Sequence, residues 1–316
     1  MLRSSRLLGA TVAIAIAVLA SCGGDRDRTG GISLWDASTP IDSGPRPDGW
    51  VPPPPIDGGG PPGYSEPTCE PLADVSDLEA SYTSTAWRTT LETLADRRYP
   101  YASETIRAVS DDYLLGWVDT RSFAELFGSF ETAAHESNHL WDFSHSTGSL
   151  WHYRLRPDLE IDTQYLSDFP RSEILTIHPN PSADFYAPPY LMMLGSEGFS
   201  NLLDEYVAYV HSLASRYCTR EDLTGGFSTS ARDGVLAFMH YVELYLKLAR
   251  TEHPDDYAEI VGDPAHIELI LTNWDRAEFW LAITESHPEL GINDEMYEAW
   301  AYDPANLMEI EYLRAL

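Results

Sequence analysis

The chain has 316 residues and a formal net charge of −30 at pH 7, because 50 acidic residues face only 20 Lys and Arg. A polyanion of this kind excludes non-specific binding to the nucleic acid backbone or to an anionic surface. Its 43% of hydrophobic residues can form the core of one globular unit of about 250 residues. The acidity itself is most simply explained by solubility.

Residues 1–21 are predicted to be a signal peptide. Arg3 and Arg6 precede an apolar run from Leu7 to Leu19, which is too short to span a membrane comfortably. The tetrapeptide Leu-Ala-Ser-Cys that ends at Cys22 resembles the lipobox of bacterial lipoproteins. This resemblance implies cleavage before Cys22, lipidation of that residue, and anchoring to the cell envelope, on the periplasmic or surface side of the outer membrane. That location is oxidising.

Residues 22–67 are predicted to be a linker without a fold of its own. The segment is rich in Gly, Pro, Asp and Ser, with a run of Pro at 52–55 and of Gly at 58–60. It has too few apolar residues to form a core, and its proline runs favour extended polyproline II. We therefore expect a semi-rigid tether, followed by one folded domain over residues 68–316.

Cys69 and Cys218 remain as an even pair in a chain that is expected to be exported. Such a pair favours a disulfide, which would join the start of the domain to the end of a later helix. Two separate buried thiols are the alternative.

The first part of the domain contains a predicted helix and a predicted strand. Ser76 and Glu79 have the spacing of a capping box, which predicts a helix up to about Arg98. Tyr113–Val118 is predicted to be a short strand.

A second capping box, formed by Ser122 and Glu125, predicts the start of the central helix. At about 3.6 residues per turn, the apolar residues of this helix share one core-facing stripe. That stripe contains Phe123, Leu126, Phe127, Phe130, Ala134 and Trp141.

His135 and His139 point to the opposite face of the same helix. They share that face with Gly128 and Thr132, small residues that leave room for a neighbouring group. This separation from the apolar stripe favours a functional site over a core position.

The pentapeptide from His135 to His139 is the HExxH arrangement of zinc hydrolases. Two imidazoles one helical turn apart can both reach one zinc ion, whereas Glu136 lies to the side, as a base rather than a ligand. In this interpretation zinc lowers the pKa of a water, Glu136 accepts its proton, and the hydroxide attacks a carbonyl. A polar helix face with ordinary hydrogen bonds is the alternative.

Glu205 is the first candidate for the third ligand that a catalytic zinc site usually needs. It lies in a helix predicted over 199–217, away from the apolar stripe of that helix and on a face with Ala208 and Ser212. These small residues would allow the helix to pack closely on the motif helix. A solvated surface glutamate is the alternative.

With this second helix the chain resembles the gluzincin type of zincin metallopeptidase, which has HExxH on one helix and a Glu on a later one. The resemblance implies His135 and His139 as ligands, Glu136 as the base and Glu205 as the third ligand. Gluzincins often have an Asp four residues after the ligand Glu, and here that position is Tyr209. The residue that would orient a ligand from there is therefore in question.

His145 is the second candidate, because it has the spacing of the third histidine in the metzincin pattern HExxHxxGxxH. Asp142 stands in place of the glycine at which that pattern leaves the helix. Met192 or Met193 would correspond to the methionine turn of that family. A loop histidine without a metal is the alternative.

The later segments complete the fold prediction. Trp151–Arg156 and Glu173–Ile177 alternate weakly as strands, and segments near 231–250, 264–285 and 294–314 are predicted to be helices. The predicted fold class is α+β and mostly helical, with a zincin-like catalytic domain. It has a small sheet beside the HExxH helix and a helical C-terminal part.

The other histidines and the tryptophans carry weaker signals. His240 and Glu243 share a helix face, where they would form a second metal pair, supply an oxyanion donor, or make an ordinary core or surface pair. No partner follows from spacing for His152, His178, His211 and His266. Core positions are predicted for Trp274, Trp280 and Trp300.

Together these patterns predict a lipid-anchored, extracytoplasmic zinc metallopeptidase acting on a peptide or protein substrate. The strand predicted over 113–118 would dock an extended peptide by edge pairing. A zincin-shaped lipoprotein with a degenerate site, acting as a binding or structural protein, is one alternative, and a metal-dependent hydrolase of another bond is a second. The expected membrane contact is through lipidated Cys22, and no nucleic acid partner is expected.

Overall fold

The computed structural model describes residues 64–222 and 230–316. The signal peptide, Cys22 and the linker up to residue 63 lie outside these residues, so the interpretations given for them stay predictions. Within the described residues, no helix is both long and apolar enough to cross a membrane.

The described part of the chain is mostly helical with one two-stranded antiparallel sheet, as expected for the α+β class. Its α-helices are α1 (Ser76–Ser81), α2 (Trp87–Arg98), α3 (Ser103–Ala108), α4 (Asp111–Leu114), α5 (Phe123–Gly128), α6 (Phe130–His145), α7 (Phe199–Cys218), α8 (Ala231–Glu252), α9 (Pro254–Gly262), α10 (Pro264–Thr284), α11 (Asp294–Ala301) and α12 (Pro304–Arg314). The strands are β1 (Leu150–Arg156) and β2 (Leu159–Gln164). A π-helix covers Ala187–Met193.

The chain is already packed at its first described residues, at the end of the segment expected to be a linker. Glu66 is buried, and its carboxylate pairs at 3.1 Å with the fully buried guanidinium of Arg276 in α10. Cys69 and Cys218 lie at disulfide distance, with their Cα atoms 5.6 Å apart, as the sequence predicts. The pair ties this first segment to the end of α7.

The helix predicted over 76–98 is interrupted. One helix ends at Ser81 and the next starts at Trp87. The capping box predicted at Ser76 is wrong, because the Ser76 amide donates a hydrogen bond to the Asp74 carboxylate at 2.9 Å. The acidic side chain upstream satisfies the free amide instead of the Ser–Glu pair.

The strand predicted over Tyr113–Val118 is wrong, because this stretch begins inside α4. Ser110 caps α4 by accepting a hydrogen bond from the Tyr113 amide at 3.4 Å, and two acidic residues in the first turn match the helix dipole. The local cap decides the structure here. Between residues 64 and 129, the chain forms no strand.

The strand predicted over Glu173–Ile177 is also wrong. A 3-10 helix over Arg171–Thr176 covers most of it, and its two buried residues, Arg171 and Ile174, are three positions apart. A 3-10 helix has three residues per turn, so these two side chains share a face. The short apolar pattern did not distinguish this period from the alternation of a strand.

β1 confirms the strand predicted over Trp151–Arg156. It pairs antiparallel with β2, which the sequence did not predict, with Tyr153 opposite Ile161. Both residues of this pair are buried, so this face of the hairpin belongs to the core.

The outer edge of β1 is occupied by side chains from the helical part of the molecule. The Arg154 amide donates to Asp142 of α6 at 2.9 Å, and the His152 amide donates to Ser146, just after α6, at 2.9 Å. His211 of α7 donates from Nε2 to the Arg154 carbonyl at 3.0 Å. The sheet is therefore fastened to α6 and α7, and these positions are not open to pairing with a substrate strand.

The C-terminal half is helical, as predicted. The helices predicted over 199–217, 231–250 and 264–285 are confirmed as α7, α8 and α10. The helix predicted over 294–314 is two helices, because Asp303 caps α12 by accepting a hydrogen bond from the Ala305 amide at 2.8 Å.

α7 lies at the centre of the molecule, between α6 and α8. Its residues from Tyr206 to Cys218 are all buried. Gly234 of α8 lies so close to the Tyr209 ring that a Cβ atom at position 234 would overlap with it. Among the predicted core tryptophans, Trp274 and Trp280 are fully buried and Trp300 is partly buried.

Candidate metal centre

The helix that carries the motif starts later than predicted. The capping box is confirmed, since the Glu125 amide donates to Ser122 Oγ at 3.2 Å and the Ser122 hydroxyl donates to the Glu125 carboxylate at 2.9 Å. This pair caps α5, which ends at Gly128. After a step at Ser129, α6 starts at Phe130.

α6 is buried on two sides. Phe130 and Ala134 pack in the core, as predicted. His135 and Glu136 are also buried, with 4% and 2% of their surface exposed. The face predicted to leave room for a neighbouring group is the face that packs against α7.

Three side chains converge between α6 and α7. The Nε2 atoms of His135 and His139 are 3.0 Å apart, and Glu205 Oε2 lies 3.7 Å from the first and 3.4 Å from the second. Among residues 64–222 and 230–316, this is the only group of three or more His, Cys, Asp or Glu residues whose potential ligand atoms all lie within 4.8 Å of one another. The structure thus brings together the three residues predicted as ligands.

His145, the competing candidate, does not join this group. Its ring is exposed and stacks on Trp141 with ring centroids 4.2 Å apart. Its Nδ1 lies 2.8 Å from the Trp141 carbonyl oxygen, one turn back in the same helix. The carbonyl oxygen of the helix therefore occupies this nitrogen. The metzincin pattern places this histidine in a loop, but here it is the last residue of α6.

The other features of the metzincin pattern are absent as well. Asp142 does not end the helix but is fully buried within it, where it accepts hydrogen bonds from the Arg154 amide and from Asn138 Nδ2, each at 2.9 Å. Met192 and Met193 are 54% and 61% exposed on the π-helix. Neither methionine packs beneath the three converging side chains.

Each histidine is held through its other ring nitrogen by a residue of α7. His139 Nδ1 donates to Asp204 Oδ2 at 2.8 Å, and His135 Nδ1 lies 2.9 Å from Ser212 Oγ. The sequence placed Ser212 on the face of Glu205 but did not single out Asp204. Its position directly before Glu205, the candidate ligand, was the feature of the sequence that could have identified Asp204.

Tyr209 stands where the gluzincin pattern has an Asp. Its ring packs edge-on against His135, with ring centroids 4.9 Å apart. Its hydroxyl lies 2.8 Å from the hydroxyl of Tyr190 in the π-helix. Position 209 therefore supplies an aromatic ring against His135 instead of a carboxylate.

Glu136 lies beside the cluster in a buried setting. The Tyr113 hydroxyl donates to Glu136 Oε2 at 3.2 Å. Burial raises the pKa of Glu136 to about 8, against the opposing influence of His139 and with a further contribution from Glu205. A carboxyl group with a pKa near neutrality can accept and release a proton at physiological pH. Sequence reasoning missed Tyr113 because it assigned this stretch to a strand.

The protein's own charges keep Glu205 ionised. Burial opposes its ionisation, but His139 and His135 hold the pKa of this carboxyl well below its usual range. Burial also opposes a charge on His139, whereas Asp204 and Glu205 raise its pKa well above the ordinary value. Burial lowers the pKa of His135. The cluster therefore presents an anionic oxygen to two imidazoles.

The geometry of these groups fits a metal ion. Glu205 Oε2 is buried without a satisfactory hydrogen bond, since 3.4 and 3.7 Å are long separations for one. The two Nε2 atoms lie 3.0 Å apart, and His139 Nδ1 donates its hydrogen bond to Asp204, so Nε2 is the nitrogen of His139 at which a metal ion would bind in place of a proton. Two imidazoles and one carboxylate are a usual ligand set of catalytic zinc.

The pair His240 and Glu243 forms no comparable centre. His240 Nδ1 lies 3.8 Å from Glu243 Oε2, and both side chains are fully buried. The nearby His178 donates from Nε2 to Asp184 at 2.9 Å, so this nitrogen does not turn towards His240. Three other histidines have neighbours of their own: His152 bonds Asp162, His211 bonds Tyr99 and the Arg154 carbonyl, and His266 Nδ1 lies 3.4 Å from Asp263.

No protein family, curated protein or solved structure matches the chain.

Proposed function

We propose that the protein is a zinc-dependent metallopeptidase, held at the cell envelope through lipidated Cys22. The observation that carries this proposal is the convergence of His135, His139 and Glu205, with their potential ligand atoms within 4.8 Å of one another. Glu136, buried beside them, completes the set that hydrolysis of a carbonyl compound requires.

His135 and His139 of α6 and Glu205 of α7 would hold the zinc ion. When bound, zinc supplies Lewis acidity, which lowers the pKa of water and polarises a carbonyl group. Glu136 accepts a proton from the attacking water at a carboxylate oxygen and passes it to the leaving group. The Tyr113 hydroxyl donates a hydrogen bond to Glu136 Oε2, which fixes the orientation of the base.

A hydrolase of a non-peptide bond, or a binding protein with a degenerate site, is the second candidate. The occupied outer edge of β1 favours it, because Asp142, Ser146 and His211 take the main-chain groups with which an extended peptide would pair. At the edge of β1, a peptide substrate would have to bind through side chains and termini.

The test compares Glu136→Gln with Glu131→Gln in the full-length protein. Glu131 is a matched control, because it lies on the same helix, in its first turn, and its carboxylate is 3.7 Å from Arg216. Both variants and the wild type should contain one zinc per chain by elemental analysis. Glu136→Gln should lower the turnover of a peptide library at least about 100-fold, the contribution of a general base, and Glu131→Gln should leave it unchanged.

The possible outcomes separate the candidates. A wild-type protein without stoichiometric zinc would exclude the peptidase and leave the degenerate binding protein. A zinc-loaded protein that cleaves esters or amides but no peptide would favour the non-peptide hydrolase. For the location, Cys22→Ser should release the protein from the membrane fraction into the soluble fraction.

A further inference from the structure

The two histidines of the candidate centre are held in different ways. In the resemblance noted above, an Asp four residues after the ligand Glu would orient a histidine, but this chain has Tyr209 there, packed on His135. A carboxylate does reach the centre, from Asp204, one residue before the ligand instead of four after it. It contacts His139.

We propose that Asp204 is the main positioning residue of the metal centre, acting through His139, while Ser212 is a weaker partner of His135. The proposal rests on the metal centre of the proposed function. Asp204 touches neither the metal position nor a substrate; it fixes the ligand that does.

The hydrogen-bond chemistry distinguishes the two partners. A carboxylate can only accept the hydrogen bond of His139 Nδ1, so the neutral ring that binds a metal has its lone pair on Nε2, which faces Glu205 and His135. A serine hydroxyl can donate or accept, so Ser212 allows either tautomer of His135. An anionic partner also makes an imidazole a stronger electron donor, which a neutral hydroxyl does not.

The placement of Asp204 favours this role over a structural one. Its Oδ1 is buried, and among the described residues it has no hydrogen-bond partner, while Oδ2 binds His139. The carboxylate also lies next in sequence to the anionic Glu205. A buried acid with one unsatisfied oxygen beside another acid does not stabilise a fold by itself. A cation bound by the neighbouring ligands would offset this charge.

The pairing follows from the way in which α6 and α7 run. The earlier histidine, His135, meets the later residue, Ser212, and the later histidine, His139, meets the earlier residue, Asp204. The two helices are therefore antiparallel at the centre. α7 supplies Glu205 and both orienting groups, so one helix completes what the motif helix begins.

The experiment compares Asp204→Asn with Ser212→Ala in the full-length protein, with Asp204→Glu as the conservative variant. Asn keeps the size of Asp and can still accept a hydrogen bond, but it carries no charge. The readouts are zinc affinity by competition with a chelator, the visible absorption spectrum of the Co²⁺-loaded protein, and the melting temperature of the metal-free protein.

Asp204→Asn should lower zinc affinity about 10- to 100-fold, the usual effect of losing an outer partner, and should change the Co²⁺ spectrum. Asp204→Glu should restore part of this affinity. Ser212→Ala should lower the affinity less than about 10-fold. The melting temperature of the metal-free Asp204→Asn protein measures how much the Asp204–His139 contact adds to the fold without metal.

Equal losses of affinity in Asp204→Asn and Ser212→Ala would overturn the proposal. A lower melting temperature of metal-free Asp204→Asn, with unchanged zinc affinity, would also overturn it and assign Asp204 a structural role. A wild type that binds zinc but cleaves no peptide would contradict the proposed peptidase and leave this proposal standing. A wild type that binds no zinc would contradict both.

Discussion

Two clusters of histidines and carboxylates occupy the same domain, and they differ in where their nitrogen and oxygen atoms point. Between α6 and α7, His135, His139 and Glu205 turn their potential ligand atoms towards one point. Around α8, His240 and Glu243 are 3.8 Å apart at their closest nitrogen and oxygen, but within 64–222 and 230–316 no third ligand group converges with them.

The surroundings explain the difference. In the α8 cluster the acid that contacts His178, Asp184, is already used by protein donors: His178 Nε2 at 2.9 Å and the hydroxyls of Tyr241 and Tyr297 at 2.5 and 3.0 Å. In the α6–α7 cluster the protein satisfies only the outer nitrogens of the histidines. The polar atoms of His240 and Glu243 are also buried without hydrogen bonds, so unsatisfied atoms alone do not mark a metal centre; the convergence of three ligand atoms on one point does.

Replacing one histidine in each cluster gives the largest expected contrast. His139→Gln removes a predicted ligand. It should lower zinc affinity more than the loss of a residue that only orients a ligand, which costs about 10- to 100-fold. His240→Gln should leave zinc content at one per chain. Elemental analysis of both dialysed proteins measures this, and zinc loss in His240→Gln would break the distinction between the clusters.

The second largest expected effect is a pH dependence of stability that comes from His240 in the α8 cluster. Burial lowers the pKa of His240 to about 3, with a further contribution from His178, while Asp184 opposes this. The unfolded chain takes up this proton below a pH of about 6.5, so the stability that neutral His240 provides is complete above that pH and is lost progressively towards pH 3.

By pH 4 this loss should amount to about 3 kcal/mol. Urea unfolding at pH 7 and pH 4 measures it as the difference between the wild type and His240→Gln, which cannot titrate there. Glu243, whose pKa burial raises, and Lys247 are present in both proteins, so they cancel in this difference. Identical pH dependence in the two proteins would show that His240 is not buried as a neutral group.

A third contrast concerns the packing behind His135. Gly234→Ala places a methyl group against Tyr209, the residue whose ring contacts His135, and should lower the free energy of unfolding by about 1–3 kcal/mol. It should also weaken zinc binding by displacing that ring. Gly262→Ala is the control, since nothing lies within 4 Å of its added Cβ atom. Equal free energies of unfolding of the two variants would show that α8 can shift away from Tyr209, and would contradict the tight packing proposed here.

The smallest expected contrast uses one tyrosine hydroxyl in each cluster. Tyr297→Phe removes a buried hydrogen bond to Asp184 at 3.0 Å, and Tyr113→Phe removes a partly buried one to Glu136 at 3.2 Å. Burial opposes ionisation of Asp184, but His178 and Tyr241 hold its pKa below the usual range, so its hydrogen bonds are charge-assisted.

Tyr297→Phe should therefore lower the free energy of unfolding by about 1 kcal/mol more than Tyr113→Phe does. Tyr113→Phe should instead change the pH profile of hydrolysis, because it alters the setting of Glu136. A larger stability loss in Tyr113→Phe would reverse the assignment of structural and functional roles.

The sequence predicted the parts of the candidate site that are set within single helices. His135 and His139 are neighbours on α6 because any residues four apart in a helix are neighbours. The small residues Ala208 and Ser212 correctly indicated that the face of Glu205 packs on the motif helix. Helical periodicity alone predicts which residues share a helix face, without knowledge of the tertiary structure.

The partners from distant elements could not be read from the sequence. Asp204 reaches His139 because of the register between α6 and α7, which are separated by the hairpin and the π-helix. Tyr113 reaches Glu136 because the cap at Ser110 makes a helix where apolar residues suggested a strand. Such contacts depend on tertiary packing, which outweighs weak local preference.

The first packed segment of the domain determines where a mechanical load would enter the protein. A pull on the chain before Tyr64 is transmitted to Glu66, which Arg276 of α10 holds, and then to Cys69, which is joined to Cys218 at the last residue of α7. The load thus passes into the two longest helices adjoining this segment and bypasses α6. Tension applied at residue 64 would therefore reach α10 and the end of α7 before it reaches the motif helix.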